Sequence, residues 1–330
     1  MHYEYIFYIK KEKMSNKQPQ VYFYVPYADV LQVREDEEKY TYANGIVSRR
    51  KFLKSPLNYI GGKYKLLPQL IEFFPEKINT FVDLFSGGFN VGINVDCNKV
   101  ICNDMNTFII DLYKELYSKP IDETLNKITG RINEYGLSKE NEEAFKKFRD
   151  YYNKTKEPID LYTLSCYSFN YQFRFNNNKE YNNPFGRNRS QFSDNMKSNL
   201  ILFTEKLKSM NVEFLSEPFD KVDLSKLNNE DFVYCDPPYL ITTGSYNDGN
   251  RGFKDWKEEE EIQLYKVLDE LNKRKVKFAL SNVIEHKGKE NILLKEWSKK
   301  YKTIYLTSDY SNSSYNTKRD KSIEVLIINY

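Results

Sequence analysis

Short apolar runs alternate along the chain with longer stretches whose apolar residues recur at helical spacing. The short runs predict a strand that ends near Asp83 and further strands at Lys99–Cys102, Phe232–Cys235, Lys277–Asn282, Lys302–Leu306 and Ile323–Tyr330. The helical spacing predicts helices over Thr107–Tyr117, Ile121–Tyr152 and Trp256–Asn272. Because strands and helices alternate, the predicted fold class is α/β, with a doubly wound sheet.

The run Phe232–Cys235 stops abruptly at Asp236, which predicts a buried strand with a carboxylate at its carboxyl edge. Open α/β sheets bind ligands at this edge. Pro237 and Pro238 have no N–H, so the turn is predicted to be stiff, to expose the Pro237 carbonyl and to present the Tyr239 ring as a flat wall. Two oxygen acceptors and an aromatic face fit a planar base with an exocyclic NH2. The alternative is a simple turn after a core strand.

Two glycine pairs earlier in the chain suit an anionic or nucleotide-like ligand. Gly61-Gly62 allows close backbone approach, and Lys63 follows at a predicted helix start, where an anion is favoured. Gly87-Gly88 follows the strand that ends near Asp83, and a helix is predicted after this turn. The spacing differs from G-x-G-x-x-G, so a dinucleotide cofactor is disfavoured.

Asp104 stands just beyond the predicted strand Lys99–Cys102. An acidic residue at the tip of the second strand is placed to accept hydrogen bonds from both ribose hydroxyls of an adenosyl group. The alternative is that Asp104 only caps the predicted helix Thr107–Tyr117, because Asp is a favoured residue at helix N-termini.

Residues 167–189 alternate aromatic and polar side chains around three consecutive asparagines, Asn176 to Asn178. Asparagine tolerates the left-handed conformation of a tight turn, so the segment predicts a protruding β-hairpin. Between Asn170 and Leu200 five basic residues accompany two acidic ones, and 5 − 2 = +3 equals the net charge of the whole chain. This concentration favours a surface that contacts nucleic acid. A solvated hairpin is the alternative.

Cysteine and histidine usage narrows the chemistry. The four cysteines form no C-x-x-C pair, and the two histidines are His2 and His286, so neither a metal site nor histidine-based catalysis is predicted. Scattered cysteines fit a reducing cytoplasm. No apolar run approaches ~18 residues and lysines interrupt the N-terminal stretch, so neither a membrane span nor export is predicted.

Three motifs stand in a fixed order: Asn58-Tyr-Ile-Gly-Gly-Lys63, Asp83-Leu-Phe-Ser-Gly-Gly88 and Asp236-Pro-Pro-Tyr239. Together they resemble the Dam-type (D12 class, α-group) adenine-N6 DNA methyltransferases, which use S-adenosyl-L-methionine. The resemblance runs from about Phe52 to the C-terminus. It implies a Rossmann-like doubly wound class I S-adenosylmethionine-dependent methyltransferase sheet, with an inserted helical and β-hairpin domain that recognises DNA.

The resemblance also implies roles for individual residues. The implied catalytic residues are Asp236, Pro237, Pro238 and Tyr239. The implied cofactor-binding residues are Tyr59, Gly62, Lys63, Asp83, Phe85, Gly87, Asp104 and Asp236. The implied DNA-binding residues are Phe169, Asn170, Gln172, Arg174, Asn176, Asn182, Pro184, Arg187, Asn188 and Arg189. Among these, Arg174 is expected to read guanine and Phe169 to wedge into the base stack.

The implied target is GATC or a related short site. Gln172, Asn183 and Asn188 differ from the residues that the GATC enzyme has at these positions. The predicted partner is double-stranded DNA, a cognate restriction endonuclease is a second candidate, and a monomer or weak dimer is expected. Two alternatives stay open: the same chemistry on RNA or a protein amide, and a catalytically idle DNA-binding module.

The predicted domain division has three parts. Residues 1–51 form an N-terminal extension of unknown role, and residues 52–120 and 211–330 form the catalytic domain. Residues 121–210 form an inserted target-recognition domain whose hairpin lies near 167–189. A polar, glycine-rich loop over Thr242–Gly252 is predicted to border the catalytic pocket.

Overall fold

The structure is a computed structural model that describes residues 52–242, 256–306 and 322–330. The predicted N-terminal extension, and all of the predicted pocket-bordering loop except Thr242, lie outside the described residues. The strands are β1 (Thr80–Asp83), β2 (Lys99–Asn103), β3 (Val212–Leu215), β4 (Phe232–Cys235), β5 (Lys277–His286), β6 (Lys289–Glu290), β7 (Lys302–Tyr305) and β8 (Ser322–Ile328). The α-helices are α1 (Leu67–Glu72), α2 (Thr107–Ser118), α3 (Ile121–Tyr135), α4 (Glu142–Thr155), α5 (Pro158–Cys166), α6 (Asp194–Lys208), α7 (Glu258–Lys273) and α8 (Ile292–Ser298).

A mixed sheet forms the centre of the molecule, with strand order β3-β2-β1-β4-β5-β8-β7 and β6 paired to β5. Strands β3, β2, β1, β4 and β5 are parallel to one another, whereas β8 runs antiparallel to both β5 and β7 and β6 runs antiparallel to β5. The chain proceeds outward from β1 to β2 and β3, and then returns to the centre at β4. The order therefore reverses between β1 and β4, the position at which open α/β sheets bind ligands.

The register of the parallel strands brings three acidic residues to one edge. Asp83 pairs with Cys102 on one side and with Tyr234 on the other. Asp104 and Asp236 follow these partners by two residues each, so all three carboxylates lie at the carboxyl ends of adjacent strands. The predictions that place Asp83, Asp104 and Asp236 at strand ends are confirmed.

Helices cover both faces of the sheet. Val82, Val233 and Leu280 point to one face and pack in the same buried cluster as residues of α7 and α8. Phe81, Tyr234 and neighbouring residues point to the other face, with residues of α1, α2, α5 and α6. A strand that is buried on both faces has a continuous apolar sequence, which is why β1 and β4 could be predicted from the sequence. The predicted α/β class is confirmed.

The helix predicted after the glycine turn is wrong. The structure has only a 3₁₀ turn at Gly92–Asn94, after which the backbone extends at Val95. The Asn94 amide nitrogen donates to the Asn90 carbonyl and to the Leu53 carbonyl at 2.8 Å each, and the Leu53 N–H donates back to Asn94 Oδ1 at 2.8 Å. This tertiary contact fixes the chain in a tight connection to β2, which leaves no length for a full helix.

Two elements differ from the helical pattern in instructive ways. The stretch Ile121–Tyr152 divides into α3 and α4, because Gly136 ends α3 at φ 66° and the Asn141 side chain caps α4 by accepting the Ala144 N–H at 3.1 Å. Helix α5 is not predicted from the sequence. Nearly all its residues are buried, so it has no polar face and therefore no amphipathic period.

Residues 167–189, here called the aromatic ribbon, form an irregular antiparallel pair. Isolated bridges join Ser168 to Phe185 and Phe175 to Tyr181, and a turn at Asn176 reverses the chain. The ribbon does not protrude as predicted. Phe175 stacks on Phe108 of α2 at a centroid distance of 4.8 Å, and both Phe175 and Tyr181 are buried. Aromatic side chains on one side of the ribbon pack into the core, and only the opposite side faces solvent.

Within the described residues, none of the helices combines the length and the apolar character that a membrane span requires.

Candidate active site

A cleft of about 610 Å³ opens at the carboxyl ends of β1, β2 and β4. It lies within the roughly 300–1,000 Å³ typical of small-molecule sites. All the residues predicted to be catalytic or to bind cofactor line this cleft: Tyr59, Gly62, Lys63, Asp83, Phe85, Gly87, Asp104, Asp236, Pro237, Pro238 and Tyr239. Segments far apart in the chain therefore converge on one cavity.

Asp236 is held by two side chains at the centre of the cleft. Its Oδ2 lies 2.9 Å from Lys63 Nζ, and its Oδ1 accepts a hydrogen bond from the Tyr239 hydroxyl at 2.9 Å. Lys63 Nζ also donates to the Gly61 carbonyl at 2.9 Å and lies 5.0 Å from the Tyr239 ring centroid. Each carboxylate oxygen offers two lone pairs, so Asp236 keeps acceptor capacity for a ligand.

Burial raises the pKa of Asp236 above its ordinary value, while the Lys63 ammonium and the Tyr239 hydroxyl oppose the rise. The inward hydroxyl of Tyr239 differs from the simple flat wall expected from the sequence. The proline turn explains this geometry, because it folds Tyr239 back toward the carboxylate three residues before it.

Asp104 holds the glycine turn. Its Oδ2 accepts the Gly87 N–H at 2.8 Å and its Oδ1 accepts the Asn106 N–H at 2.8 Å. Burial raises the pKa of Asp104, and these two amides oppose the rise. The N-cap residue of α2 is Asn106, so Asp104 does not cap this helix directly. Each oxygen retains a lone pair, and Asp104 lines the cleft.

Tyr59 packs directly on the glycine turn. A Cβ added at Gly87, where φ is +45°, would lie 2.9 Å from Tyr59 Cδ1, so a side chain at this position would collide with the ring. The Asn106 amide nitrogen lies 3.5 Å from the Tyr59 hydroxyl. The other end of that amide, Asn106 Oδ1, is buried and accepts no hydrogen bond from any residue that the structure describes. It is therefore available to a ligand donor in the cleft.

Sequence analysis named Phe85 as a cofactor-binding residue but missed its two aromatic neighbours in the wall of the cleft. Phe85, Phe219 and Trp256 all line the cleft and contact one another, with ring centroids 5.5–5.6 Å apart. Phe219 comes shortly after β3, and a position just beyond a strand is what made Asp104 recognisable after β2. Phe219 could not be found in the same way, because β3 is half-exposed and has no continuous apolar run that would predict a strand there.

Asp83 lies in the wall of the cleft, almost fully buried, and accepts the Gly92 N–H at 3.0 Å. Burial raises its pKa from 3.8 to about 8; the Gly92 amide opposes the rise, and the charges of Asp236 and Asp104 add to it. Asp83 is therefore mostly protonated at neutral pH. The side chain supports the turn without adding a negative charge beside Asp236.

The raised pKa of Asp83 predicts how the free energy of unfolding depends on pH. Because the folded protein binds this proton more tightly than the unfolded chain, the stabilising contribution is complete below about pH 4 and is lost as the pH rises through about 8. Asp83→Asn retains the acceptor for Gly92 and removes the titration. Urea unfolding from about pH 5 to about pH 9 should show a fall in unfolding free energy for the wild type that exceeds the variant's fall by a few kcal/mol. Equal pH profiles would contradict the assignment.

The structure places the predicted DNA-binding residues on and around the outer side of the aromatic ribbon. Phe169, Asn170, Asn182, Pro184, Arg187, Asn188 and Arg189 are exposed, and Gln172, Arg174 and Asn176 are half-buried. Asn176 differs in role from its neighbours. Its Oδ1 accepts from the Asn178 and Glu180 amides and its Nδ2 donates to Glu180, so the side chain builds the turn.

Two arginines of the ribbon also differ in their surroundings. Arg187 forms an ion pair with Glu142 of α4. Arg174 has a buried Nε without a hydrogen-bond partner among the described residues. The ribbon contacts the cleft segment through Asn58, whose Nδ2 donates to the Asn170 carbonyl at 2.7 Å. Asn58 directly precedes Tyr59, so the cleft and the ribbon share one short stretch of chain.

Among residues 52–242, 256–306 and 322–330, no three histidine, cysteine, aspartate or glutamate side chains are grouped so that they could hold a metal ion.

The reversed strand order, the glycine turn and the carboxylate-lined cleft define an α/β protein with a ligand-sized cleft at the carboxyl edge of its sheet. Comparison with known sequences makes the assignment more specific. The chain belongs to the D12 class N6 adenine-specific DNA methyltransferase family, whose sequence profile matches residues 59–312. The family resemblance found from the three motifs is confirmed.

Individual relatives agree with this assignment. The chain is 62% identical over 279 residues to type II methyltransferase M.FokI of Planomicrobium okeanokoites, covering 84% of this chain and 43% of that protein. It is 55% identical over 287 residues to modification methylase StsI of Streptococcus sanguinis, covering 86% and 44%. It is 28% identical over 285 residues to the DNA adenine methylase of Escherichia coli K12, covering 84% and 95%. The chain thus spans less than half the length of the first two relatives.

Proposed function

We propose that this chain is a site-specific DNA methyltransferase that transfers a methyl group from S-adenosyl-L-methionine to the N6 atom of an adenine flipped out of duplex DNA. The observation that carries the proposal is the position of Asp236. This carboxylate lies at the strand-order reversal, in the same cleft as the Gly87 turn and Asp104. The sheet is then a Rossmann-like class I methyltransferase sheet, formed by residues 52–120 and 211–330, and residues 121–210 are the inserted DNA-recognition domain.

The cleft fits an adenosyl cofactor on three grounds. The Asp104 oxygens each retain a lone pair, which suits two ribose hydroxyls. Phe85, Phe219 and Trp256 supply an apolar aromatic wall for a purine ring. The unpartnered Oδ1 of Asn106 offers an acceptor to a hydroxyl or amino group of the cofactor. When bound, S-adenosylmethionine supplies an electrophilic methyl group.

Asp236 and the Pro237 carbonyl orient the adenine amino group. The exocyclic nitrogen is a poor nucleophile, because its lone pair is delocalised into the ring. Two N–H hydrogen bonds to these oxygens turn the lone pair toward the methyl group and offset the positive charge that develops on nitrogen. The arrangement requires no covalent bond between the enzyme and the base.

Tyr239 has two positions in this mechanism. In the structure its hydroxyl donates to Asp236 Oδ1. When its ring turns to stack on the extruded adenine, that oxygen is released and accepts the amino group instead. Stacking on Tyr239 replaces part of the stacking that the base loses on leaving the duplex, and extrusion costs a few kcal/mol. The exposed face of the ribbon supplies the contacts that offset this cost, with Phe169 as the wedge.

Two alternative functions have less support. The same chemistry on a protein amide would not need the basic ribbon surface next to the cleft. An RNA duplex attracts the same basic side chains, but its major groove is too deep and narrow for side chains to read. A catalytically idle DNA-binding module would not need Lys63, Asp104 and Asp236 brought together in one cavity. The names of the relatives, a type II methyltransferase and a modification methylase, support a cognate restriction endonuclease as a partner in the cell.

The proposal is tested by expressing the chain in a host without DNA methylation and sequencing the modified bases. N6-methyladenine at one short sequence is the expected result, and the same assay identifies that sequence. Purified protein should transfer labelled methyl groups to duplex DNA in preference to RNA or protein. Cofactor binding with no transfer to any DNA would instead support the idle module.

A further inference from the structure

The aromatic ribbon contains an unusual turn at Phe169–Gln172. Its two central residues, Asn170 and Tyr171, both adopt left-handed backbone conformations, with φ of 53° and 56°. This region is disfavoured for L-residues other than glycine, and least so for asparagine. Two such residues in succession, one of them a tyrosine, persist only where the surroundings hold them in place.

Three side chains from two other segments supply that support. The Asn183 Nδ2 donates to the Phe169 carbonyl at 2.9 Å and to the Gln172 carbonyl at 3.0 Å. The Asn58 Nδ2 donates to the Asn170 carbonyl at 2.7 Å. The Tyr181 hydroxyl donates to the Gln172 carbonyl at 2.8 Å. Donors outside the turn thus bind three of its four carbonyls, those of Phe169, Asn170 and Gln172. We call these donors, the side chains of Asn58, Tyr181 and Asn183, the turn clamp.

The turn clamp sets the direction of an exposed aromatic ring. Phe169 is 39% exposed, although it sits in a segment whose other aromatic side chains mostly face the core. The Arg189 guanidinium lies 5.0 Å from the centre of its ring, and the Arg189 carbonyl accepts the Tyr171 hydroxyl at 3.0 Å. The turn therefore exposes an aromatic ring with a guanidinium group next to it. This combination suits a ring that stacks on a base while the guanidinium contacts a nearby phosphate.

Asn183 has no direct access to DNA. It is 2% exposed and faces the inside of the ribbon, so it cannot contact a base edge. Any effect of Asn183 on recognition must therefore act through the shape of the turn. Asn58 is exposed, and its side chain amide points to the turn. Both residues contact the backbone of the turn that carries Phe169. Asn58 opens the first of the three motifs, but the family resemblance assigns no role to either residue.

We propose that Asn58 and Asn183 are positioning residues for DNA recognition, which hold the left-handed Phe169–Gln172 turn so that the Phe169 ring is aimed at the base stack. The proposal rests on the proposed function. A pre-formed wedge loses less conformational entropy when it enters the duplex than a mobile one. The clamp therefore contributes to discrimination between DNA sites and leaves the chemistry at Asp236 unaffected.

The test uses Asn58→Ala and Asn183→Val in the full chain, on duplexes that carry the methylated sequence or one changed base pair. Each variant should lower the ratio of the two kcat/KM values about tenfold, the effect of losing one or two hydrogen bonds. The affinity for S-adenosylmethionine, measured by calorimetry, should stay within about twofold of wild type. A 2-aminopurine base next to the target reports unstacking, and its fluorescence rise on binding should be reduced in both variants.

Asn211→Ala is the matched control for Asn58→Ala. Asn211 is also exposed, and its Nδ2 also donates to a backbone carbonyl, that of Asn98 at 3.4 Å, at the amino edge of the sheet. This variant should retain wild-type discrimination. Thermal melting of all variants separates loss of fold from loss of positioning, because assays run well below the melting temperature see only the latter.

A double-mutant cycle separates positioning from direct contact. Phe169→Ala removes the wedge, so adding Asn58→Ala to it should change discrimination less than twofold further. Additive effects would show that Asn58 contacts DNA itself and would overturn the proposal for this residue. Unchanged discrimination in Asn183→Val, in a wild-type background that methylates DNA, would overturn it for Asn183. A wild-type protein that methylates no DNA would overturn both this proposal and the proposed function.

Discussion

Asp236→Ala is expected to abolish methyl transfer, the largest effect of any single substitution in the cleft. The variant removes the acceptor that orients the adenine amino group, and removing one preorganised group of this kind costs about 10²–10³-fold or more in rate. It also leaves Lys63, only 6% exposed, without its carboxylate partner. Cofactor binding should therefore be weakened as well, but not lost. Single-turnover transfer of labelled methyl groups and calorimetry measure the two effects separately.

Asp236→Asn is the matched variant, because it keeps the volume and one acceptor oxygen while removing the charge. It should fold with a melting temperature closer to wild type than Asp236→Ala and still lose most of the transfer rate. Both variants remove the charge that pairs with Lys63, but only Asp236→Asn leaves an acceptor for the buried ammonium, so the comparison separates loss of the charge from loss of the acceptor. Full activity in either variant would contradict the pocket that we propose.

Arg174→Ala is expected to have the largest effect on sequence choice. Arg174 lies on the ribbon with a buried Nε that lacks a partner in the described part of the chain. A bidentate contact between arginine and guanine is worth about 1–3 kcal/mol of discrimination, or roughly 10–100-fold. The ratio of kcat/KM for the methylated sequence to that for a duplex with one changed base pair measures the loss. The single-turnover rate on saturating DNA should fall less than this ratio.

Arg174→Lys tests whether the planar fork or the charge matters. Lysine keeps the charge but cannot form the two parallel hydrogen bonds, so it should restore affinity for DNA more than discrimination. Unchanged discrimination in Arg174→Ala would count against the ribbon as the sequence reader. It would not affect the assignment of the cleft, since Arg174 is not among the residues that line it.

The strands that carry the cleft could be read from the sequence because of how they are buried. A parallel strand covered on both faces is a continuous apolar run, so β1, β2 and β4 are bounded by the first polar residue after each run. Those polar residues are the ones at the carboxyl edge. For this reason the motifs and the three acidic residues were predictable without a structure.

Other elements were not predictable, for equally physical reasons. The helix expected after Gly87-Gly88 is replaced by a 3₁₀ turn, because Asn94 binds the Leu53 backbone far away in the sequence. The sequence alone does not distinguish the roles of the asparagines in the ribbon. In the structure Asn176 builds a turn, Asn183 is a buried clamp and Asn182 is exposed.

The sequence by itself determined the α/β class, the family and the motif residues that line the cleft, because local apolar runs and short motifs carry that information within a few positions. Only the tertiary structure decided what each polar group is bonded to. Tyr239 satisfies Asp236, Asn58 holds the turn of the ribbon, and Asn106 keeps a free acceptor in the cleft among the described residues. A hydrogen-bond partner is set by distances between atoms that are remote in the chain, and these distances exist only once the sheet has assembled.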